Sequence, residues 1–400
     1  MHLPLSVARL SETDIQNVIG TLKSGKLTMG KNVRSFETEM ARYLNVDHFI
    51  MVNSGSSANL LIFEYMLRPS SGSALLKPGD GVLVPAIAWP TTIWPIIQLG
   101  LVPVFVDVSL ETLTLDLARA EQIIHESPVE IKAIFPIHAL GYAIDHNLLS
   151  DFAKKYSLTL INDVCESLGA WKHGVHAGCT GIASSYSFYF SHHITTMEGG
   201  GIATNSLEIA NDLRAMRSHG WSRDRSDSKD WANGLDAPAS KFQFITTGYN
   251  VRPTEIQAAI GLNQVSHIDE YVQTRSKLAY SVSNLLRDSK IELIGSEYIS
   301  LEQKPRHSWM MLPLKVRSTK NDKVRIQESL EANGVETRPV LTGNFLRQPA
   351  MRRNFNYGNP EDFPNADWIS DHCFLIGAHQ DYSDSQISYL LEVLKKATKL

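Results

Sequence analysis

His192 stands in the run Ser187-Phe-Tyr-Phe-Ser-His192-His193-Ile-Thr-Thr-Met-Glu-Gly-Gly200. An imidazole can move protons near neutral pH, since its ordinary pKa of about 6.5 suits it to act as base and as acid. Three other segments carry groups that could work beside it. Ser54-Gly55-Ser56-Ser57 joins an apolar run to a helical one. Small residues there let backbone N–H groups and hydroxyls approach a phosphate at a helix N-terminus, although serine at such a turn is also a common helix cap. Trp89 follows a second apolar run and offers either a flat face for stacking on a ring or a core tryptophan. Asp163 follows the apolar run Leu158–Ile161, where its carboxylate can face a ring nitrogen or cap a helix. Adjacent His192 and His193 point in different directions on a strand or helix, and no other ligand cluster stands near them, which argues against a metal ion.

These residues need a scaffold, and the pattern around them supplies one. Phe49–Val52, Ile131–Pro136, Leu158–Ile161 and Ser184–Phe190 read as strands, with helices at about Ala58–Met66 and Leu148–Tyr156. Gly81–Val108 is apolar and long enough to span a bilayer. However, Pro85, Pro90, Pro95 and Pro103 cut it into strand Val82–Val84, a helix at about Pro90–Leu99 and strand Val102–Val106, a buried βαβ unit. Such alternation predicts an α/β fold, a mainly parallel sheet with helices on both faces. Ligands of such sheets gather beyond the carboxyl ends of the strands, where the polar segments above fall. A long helical stretch, Glu255 to about Arg287, leads into a mixed region with Trp309–Val316, Asp322–Asn333, Val335–Arg338 and Ser383–Ala397. The expected organisation is a large domain over 1–261 and a smaller C-terminal α/β domain over 262–400, with the N-terminal segment able to pack on the smaller one.

The chain has 400 residues, 43% of them hydrophobic, ample for a sizeable core. Its formal net charge is −4 and it has no long basic run, so neither nucleic acid nor an anionic membrane is an expected partner. Cys165, Cys179 and Cys373 lie far apart, with no close pair for zinc or redox work. Free thiols and a cytoplasmic setting are expected.

Jointly, these runs resemble the cofactor site of the DegT-type nucleotide-sugar aminotransferases, fold-type-I pyridoxal phosphate enzymes. The likeness extends from Gly25-Lys-Leu-Thr28-Met-Gly30 to Thr337-Arg338-Pro and Gly343-Asn344, nearly the whole chain. It implies that Gly55, Ser56 and Ser57 cradle the cofactor phosphate with Ser187, that Trp89 stacks on the pyridine ring, and that Asp163 keeps the ring nitrogen protonated. Asn162-Asp163-Val-Cys-Glu166 matches the family's Glu-Asp-Ala-x-Gln run, so Glu166 takes the place of a glutamine beside the ring hydroxyl. Gly248-Tyr-Asn250-Val-Arg252 matches a Gly-Tyr-Asn-x-Arg run. Carried over, Asn250 reaches the phosphate in a neighbouring subunit, which implies a homodimer with shared active sites. His219, Arg252 and Arg338 are candidates for substrate or glutamate contacts, with surface or core ion pairs as the alternative.

The family pattern has a lysine where this chain has His192. A histidine cannot bond the cofactor as an imine, but it can still carry protons. This substitution resembles a lysine-less branch of the family, the pyridoxamine-phosphate-dependent sugar 3-dehydratases. That branch implies removal of the C3 hydroxyl from a nucleotide-linked 4-keto-6-deoxyhexose, with GDP, CDP, dTDP and UDP all compatible. Some members recharge the cofactor from L-glutamate, others through an iron–sulfur cluster. A cluster takes about four thiolates, and three scattered cysteines point to glutamate with no cluster. Two alternatives stay open: an ordinary aminotransferase using another lysine, although none occurs between Lys172 and Lys229, and a non-catalytic homologue.

Overall fold

The computed structural model describes residues 1–7, 10–232, 234 and 239–399. Its main sheet contains β1 (His48–Val52), β2 (Gly81–Pro85), β3 (Val102–Val106), β4 (Ile131–Ile134) and β5 (Thr159–Asp163). A small hairpin of β6 (Trp171–Lys172) and β7 (Val175–His176) follows, and then β8 (Ala183–Ser187) and β9 (Gly200–Thr204) complete the sheet. The order is β1-β9-β8-β5-β4-β2-β3. β9 runs antiparallel to both neighbours, and the other six strands are parallel. β2 and β9 are buried at every position, as expected for strands covered on both faces. The apolar stretch around residues 81–106 is therefore core, and among the described residues no helix is long and apolar enough to cross a membrane.

The second sheet contains β10 (Ile291–Leu293), β11 (Met311–Val316), β12 (Thr337–Arg338) and β13 (Cys373–Gly377), antiparallel throughout in the order β10-β11-β13-β12. It has its own apolar cluster, which includes Leu3 from the other end of the chain. Leu3 N–H donates to Gly334 O at 2.8 Å, and Glu336 N–H donates to Leu3 O at 3.0 Å. The N-terminus is thus tied to this region by a single parallel bridge between Leu3 and Val335.

Two expected elements differ. The helix expected over Glu255–Arg287 is two helices, Glu255–Val265 and Ile268–Leu286, broken where His267 leaves helical geometry (φ −106°, ψ 1°). The first packs on the N-terminal helices Glu12–Ser24 and Lys31–Leu44, the second on β10 and the C-terminal helix, so the break lets the chain change layers. The strand expected over Ser184–Phe190 closes at Ser187. Beyond it Phe188 turns into an aromatic cluster with Phe36 (centroids 5.2 Å apart) and Phe49 (6.1 Å), which carries the chain off the sheet toward His192.

Candidate active site

The carboxyl ends of β1, β2, β5 and β8 meet the start of β9 at one rim of the sheet, and a cavity of about 670 Å³ opens there. Val52 and Ser187 both pair with Gly200 in register. The turn after β1 becomes the N-terminus of helix Gly55–Leu67. Ser54 caps it, its Oγ accepting from Ser57 N–H at 3.1 Å, while Ala58 N–H donates to Ser54 O. The N–H groups of Gly55 and Ser56 are left, among the described residues, as the turn's unspent donors. Ser57 belongs to the cap: its hydroxyl donates to Asn53 Oδ1 at 2.7 Å, and it is not part of the cavity wall. Two glycines permit this close assembly. A Cβ on Gly55 would lie 2.7 Å from Ser187 Cβ and 2.9 Å from Cys165 Sγ. One on Gly200 would lie 2.3 Å from the Ser54 carbonyl carbon and 2.4 Å from Gly55 N.

Asp163, the last residue of β5, is buried in the cavity wall. Its Oδ2 accepts from Asn59 Nδ2 at 3.0 Å and from Thr92 Oγ1 at 2.9 Å, and its Oδ1 from Cys165 N–H at 3.1 Å. Asn59 and Thr92 had no part in the sequence reading. The available signal was a buried amide in the mainly apolar helix Gly55–Leu67. Pro95 explains how Asn59 is held. Inside helix Pro90–Gln98 it has no N–H to give to Thr91 O, four residues back. That carbonyl accepts from Asn59 Nδ2 at 3.1 Å instead.

Glu166, half-buried three residues beyond Asp163, lines the same wall, with Oε2 accepting from Leu140 N–H at 3.0 Å. Burial raises its pKa from 4.5 to about 7 and Asp163 adds to the rise, against the Leu140 hydrogen bond and the Arg338 charge. Trp89, also in the wall, keeps 46% of its surface exposed, and the Arg338 guanidinium from β12 lies 5.5 Å from its ring centroid, a cation–π contact. His192 also lines the cavity, its backbone N–H donating to Tyr189 O at 3.0 Å. Burial, with Arg275 and Arg338 acting the same way, lowers its pKa to about 4, against a hydrogen bond with the Cys165 backbone. Its imidazole is therefore neutral at pH 7, with Nδ1 buried and without a partner among the described residues. No lysine lines the cavity among the described residues.

The structure thus brings Gly55, Ser56, Trp89, Asp163, Glu166, Ser187, His192 and Arg338 together. Asn250, His219 and Arg252 line no part of this cavity. They form a separate group: Ser218 bridges Asn250, Tyr249 O accepts from His219 N–H at 2.9 Å, and Arg252 Nε donates to Asn250 Oδ1 at 3.0 Å. Asn250 and His219 are exposed. Pro4, Leu5 and Ser6 add a wall that the sequence reading left unassigned, with Leu5 N–H donating to Glu336 Oε2 at 2.9 Å. Among the described residues no cluster could hold a metal ion.

The arrangement suits a flat, phosphorylated, nitrogen-containing ring. Two unspent N–H groups at a helix N-terminus, a buried carboxylate and an open indole line the one cavity. Residues 8–395 match the DegT/DnrJ/EryC1/StrS aminotransferase family. The chain belongs to this family. It is 32% identical to GDP-4-keto-6-deoxy-D-mannose 3-dehydratase of Yersinia pseudotuberculosis, over 99% of both chains. A solved GDP-4-keto-6-deoxymannose-3-dehydratase variant with bound GDP-perosamine superposes with a TM-score of 0.88 at 30% identity, covering 98% of this chain and 100% of the other. Another solved form of that enzyme, holding a trapped PLP–glutamate geminal diamine, gives 0.87 at 30% identity with the same coverage. The fold is that of the pyridoxal phosphate aminotransferases. The cavity of this chain has acidic and aromatic walls with an imidazole beside them and, among the described residues, no lysine.

Proposed function

We propose that the protein is a pyridoxamine-phosphate-dependent 3-dehydratase of a nucleotide-linked 4-keto-6-deoxyhexose, giving a 4-keto-3,6-dideoxy sugar, with L-glutamate restoring the cofactor amine. One observation carries this reading: His192 lines the cavity, and no lysine does among the described residues. An aminotransferase of this family needs a lysine to bond the cofactor between turnovers. Likeness to 3-dehydratases over the full chain supports the same reading.

Bound pyridoxamine phosphate would supply an amine to condense with the C4 ketone and a protonated ring to hold the electron pair released beside it. The chain's own residues divide the remaining work. Gly55, Ser56 and Ser187 hold the phosphate end. Asp163, fixed by Asn59 and Thr92, keeps the ring nitrogen protonated. Trp89 stacks on the ring face, and Glu166 faces the ring hydroxyl. His192, neutral at rest, takes one proton and gives one to the departing C3 hydroxyl, which leaves as water. Arg338 grips a carboxylate or diphosphate of the substrate or of glutamate. Asn250, His219 and Arg252, lying outside their own chain's cavity, complete the site of a neighbouring subunit in a homodimer. Three free thiols, too few for a cluster, support recharging by glutamate without iron–sulfur chemistry and suit a cytoplasmic setting.

The test is an absorbance spectrum of the protein with pyridoxal phosphate, before and after borohydride and, on a fresh sample, after L-glutamate. The expected result is no covalent trapping and conversion by glutamate to the pyridoxamine form. Cofactor trapped on a lysine would refute the assignment, and absence of binding would favour a non-catalytic homologue.

A further inference from the structure

His192 lines two cavities. The front one is the site described above; the rear one is a second, polar chamber of about 290 Å³. At roughly 30 Å³ per molecule, that is room for several waters. Two of its buried wall residues carry polar atoms with no partner among the described residues. Gln264, only 4% exposed, accepts Thr195 N–H at Oε1 (2.8 Å) but leaves Nε2 unpaired. His193, with no exposed surface, is tied through Nε2 to Ser308 O (3.0 Å) and leaves Nδ1 unpaired. Buried polar groups of this kind are normally satisfied, and a water with two to four polar partners satisfies them. On its far side the chamber reaches exposed Ser11 and half-exposed Asp381.

We propose that this chamber is a water-filled proton conduit serving His192 from behind. The inference rests on His192 being the proton carrier of the proposed reaction. A substrate that fills the front cavity excludes solvent from that side, so a proton on the imidazole would otherwise be confined to cofactor and substrate. Water along His193 and Gln264 gives it a second exit. The exchange is balanced: one proton leaves the imidazole for the chamber and one returns, with no change in charge or oxidation state.

Glutamate provides a direct readout. During recharging a proton leaves carbon 2 of L-glutamate for His192, and one passes from His192 to the cofactor carbon. With L-glutamate deuterated at carbon 2, the wild-type holoenzyme should lose most of the deuterium to water. Val7→Phe, placed at a half-buried position of the chamber wall, should retain several-fold more in the cofactor methylene. Equal retention in the two proteins would overturn the conduit. Exchange of the His192 ring N–H with water, followed by NMR on histidine-labelled protein loaded with pyridoxal phosphate and with a nucleotide sugar that lacks the C4 ketone filling the front cavity, tests the same route without turnover. It should be several-fold slower in Val7→Phe, and equal rates would overturn the conduit whether or not glutamate reacts. Failure of glutamate to convert the cofactor, with slowed N–H exchange in the variant, would instead refute the proposed function and leave the conduit supported.

Discussion

Replacing Glu166 by glutamine should stabilise the cofactor-free protein at pH 8 and leave it nearly unchanged at pH 4.5. The native carboxyl titrates at about 7 rather than its ordinary 4.5, chiefly because burial penalises the anion. A shift of that size corresponds to roughly 3 kcal/mol at full effect. The group is only half-buried, so solvent screening leaves about 1–2 kcal/mol. The sign follows from proton counts. Between pH 4.5 and about 7 the native state holds this proton while the unfolded chain has released it, so the group's contribution falls as pH rises. The penalty is absent below the unfolded value and complete above the native one. Glutamine cannot ionise, and its amide oxygen can still accept from Leu140 N–H, the contact that Oε2 now makes. Urea unfolding of both proteins without cofactor at pH 4.5, 6, 7 and 8 reads the effect. The advantage of Glu166→Gln should grow across that window and level off above pH 7. A pH-independent difference, or one that shrinks toward pH 8, would refute the assignment of a raised carboxyl.

Three further changes address other parts of the molecule. His192→Asn should keep cofactor binding, seen by absorbance titration, while dehydration slows by about 10²–10⁴-fold, the usual scale of a lost acid–base group; full turnover would remove His192 from the mechanism. Gly200→Ala forces a methyl against the Ser54–Gly55 peptide, an overpacking cost of about 1–3 kcal/mol; it should weaken pyridoxal phosphate binding in an equilibrium titration, and unchanged affinity would separate this strand from the phosphate turn. Asp212→Asn removes the charge of the fully buried ion-pair partner of Arg225, whose remaining ion pair among the described residues is with the more exposed Asp227; urea unfolding should show a loss of about 3 kcal/mol, and an unchanged midpoint would contradict the role of that pair.

The parts of this fold that the sequence reveals are the parts that local chemistry determines. Prolines at 85, 90, 95 and 103 divide one apolar stretch into β2, a helix and β3, and the observed bounds fall close to those breaks. The break at Ser266–His267 is not visible locally, because it marks where the chain passes from packing on the N-terminal helices to packing on the second sheet. The reversed strand β9 is hidden for a similar reason. Gly200-Gly-Ile-Ala-Thr has two glycines and weak strand chemistry, and its place between β1 and β8 depends on partners far away in sequence.

The same distinction runs through the site. His192 is conspicuous because its neighbours form a dense motif, and Asp163 because it ends a strand. The supports of Asp163 are inconspicuous, and each is locally unfavourable. Asn59 puts an amide into a mainly apolar helix, Pro95 removes a hydrogen bond from another, and Gly200 weakens a strand. In the assembled rim they act together. The carbonyl that Pro95 leaves free accepts from Asn59, the same amide donates to Asp163, and the bare Gly200 lets β9 close on the phosphate turn. Local stability is given up at three positions so that one carboxylate and one helix N-terminus are held in fixed relation across the cavity. A residue that fits its own element poorly is thus a useful pointer to the site, but only the contact 104 residues away in sequence, from Asn59 to Asp163, shows what it is for.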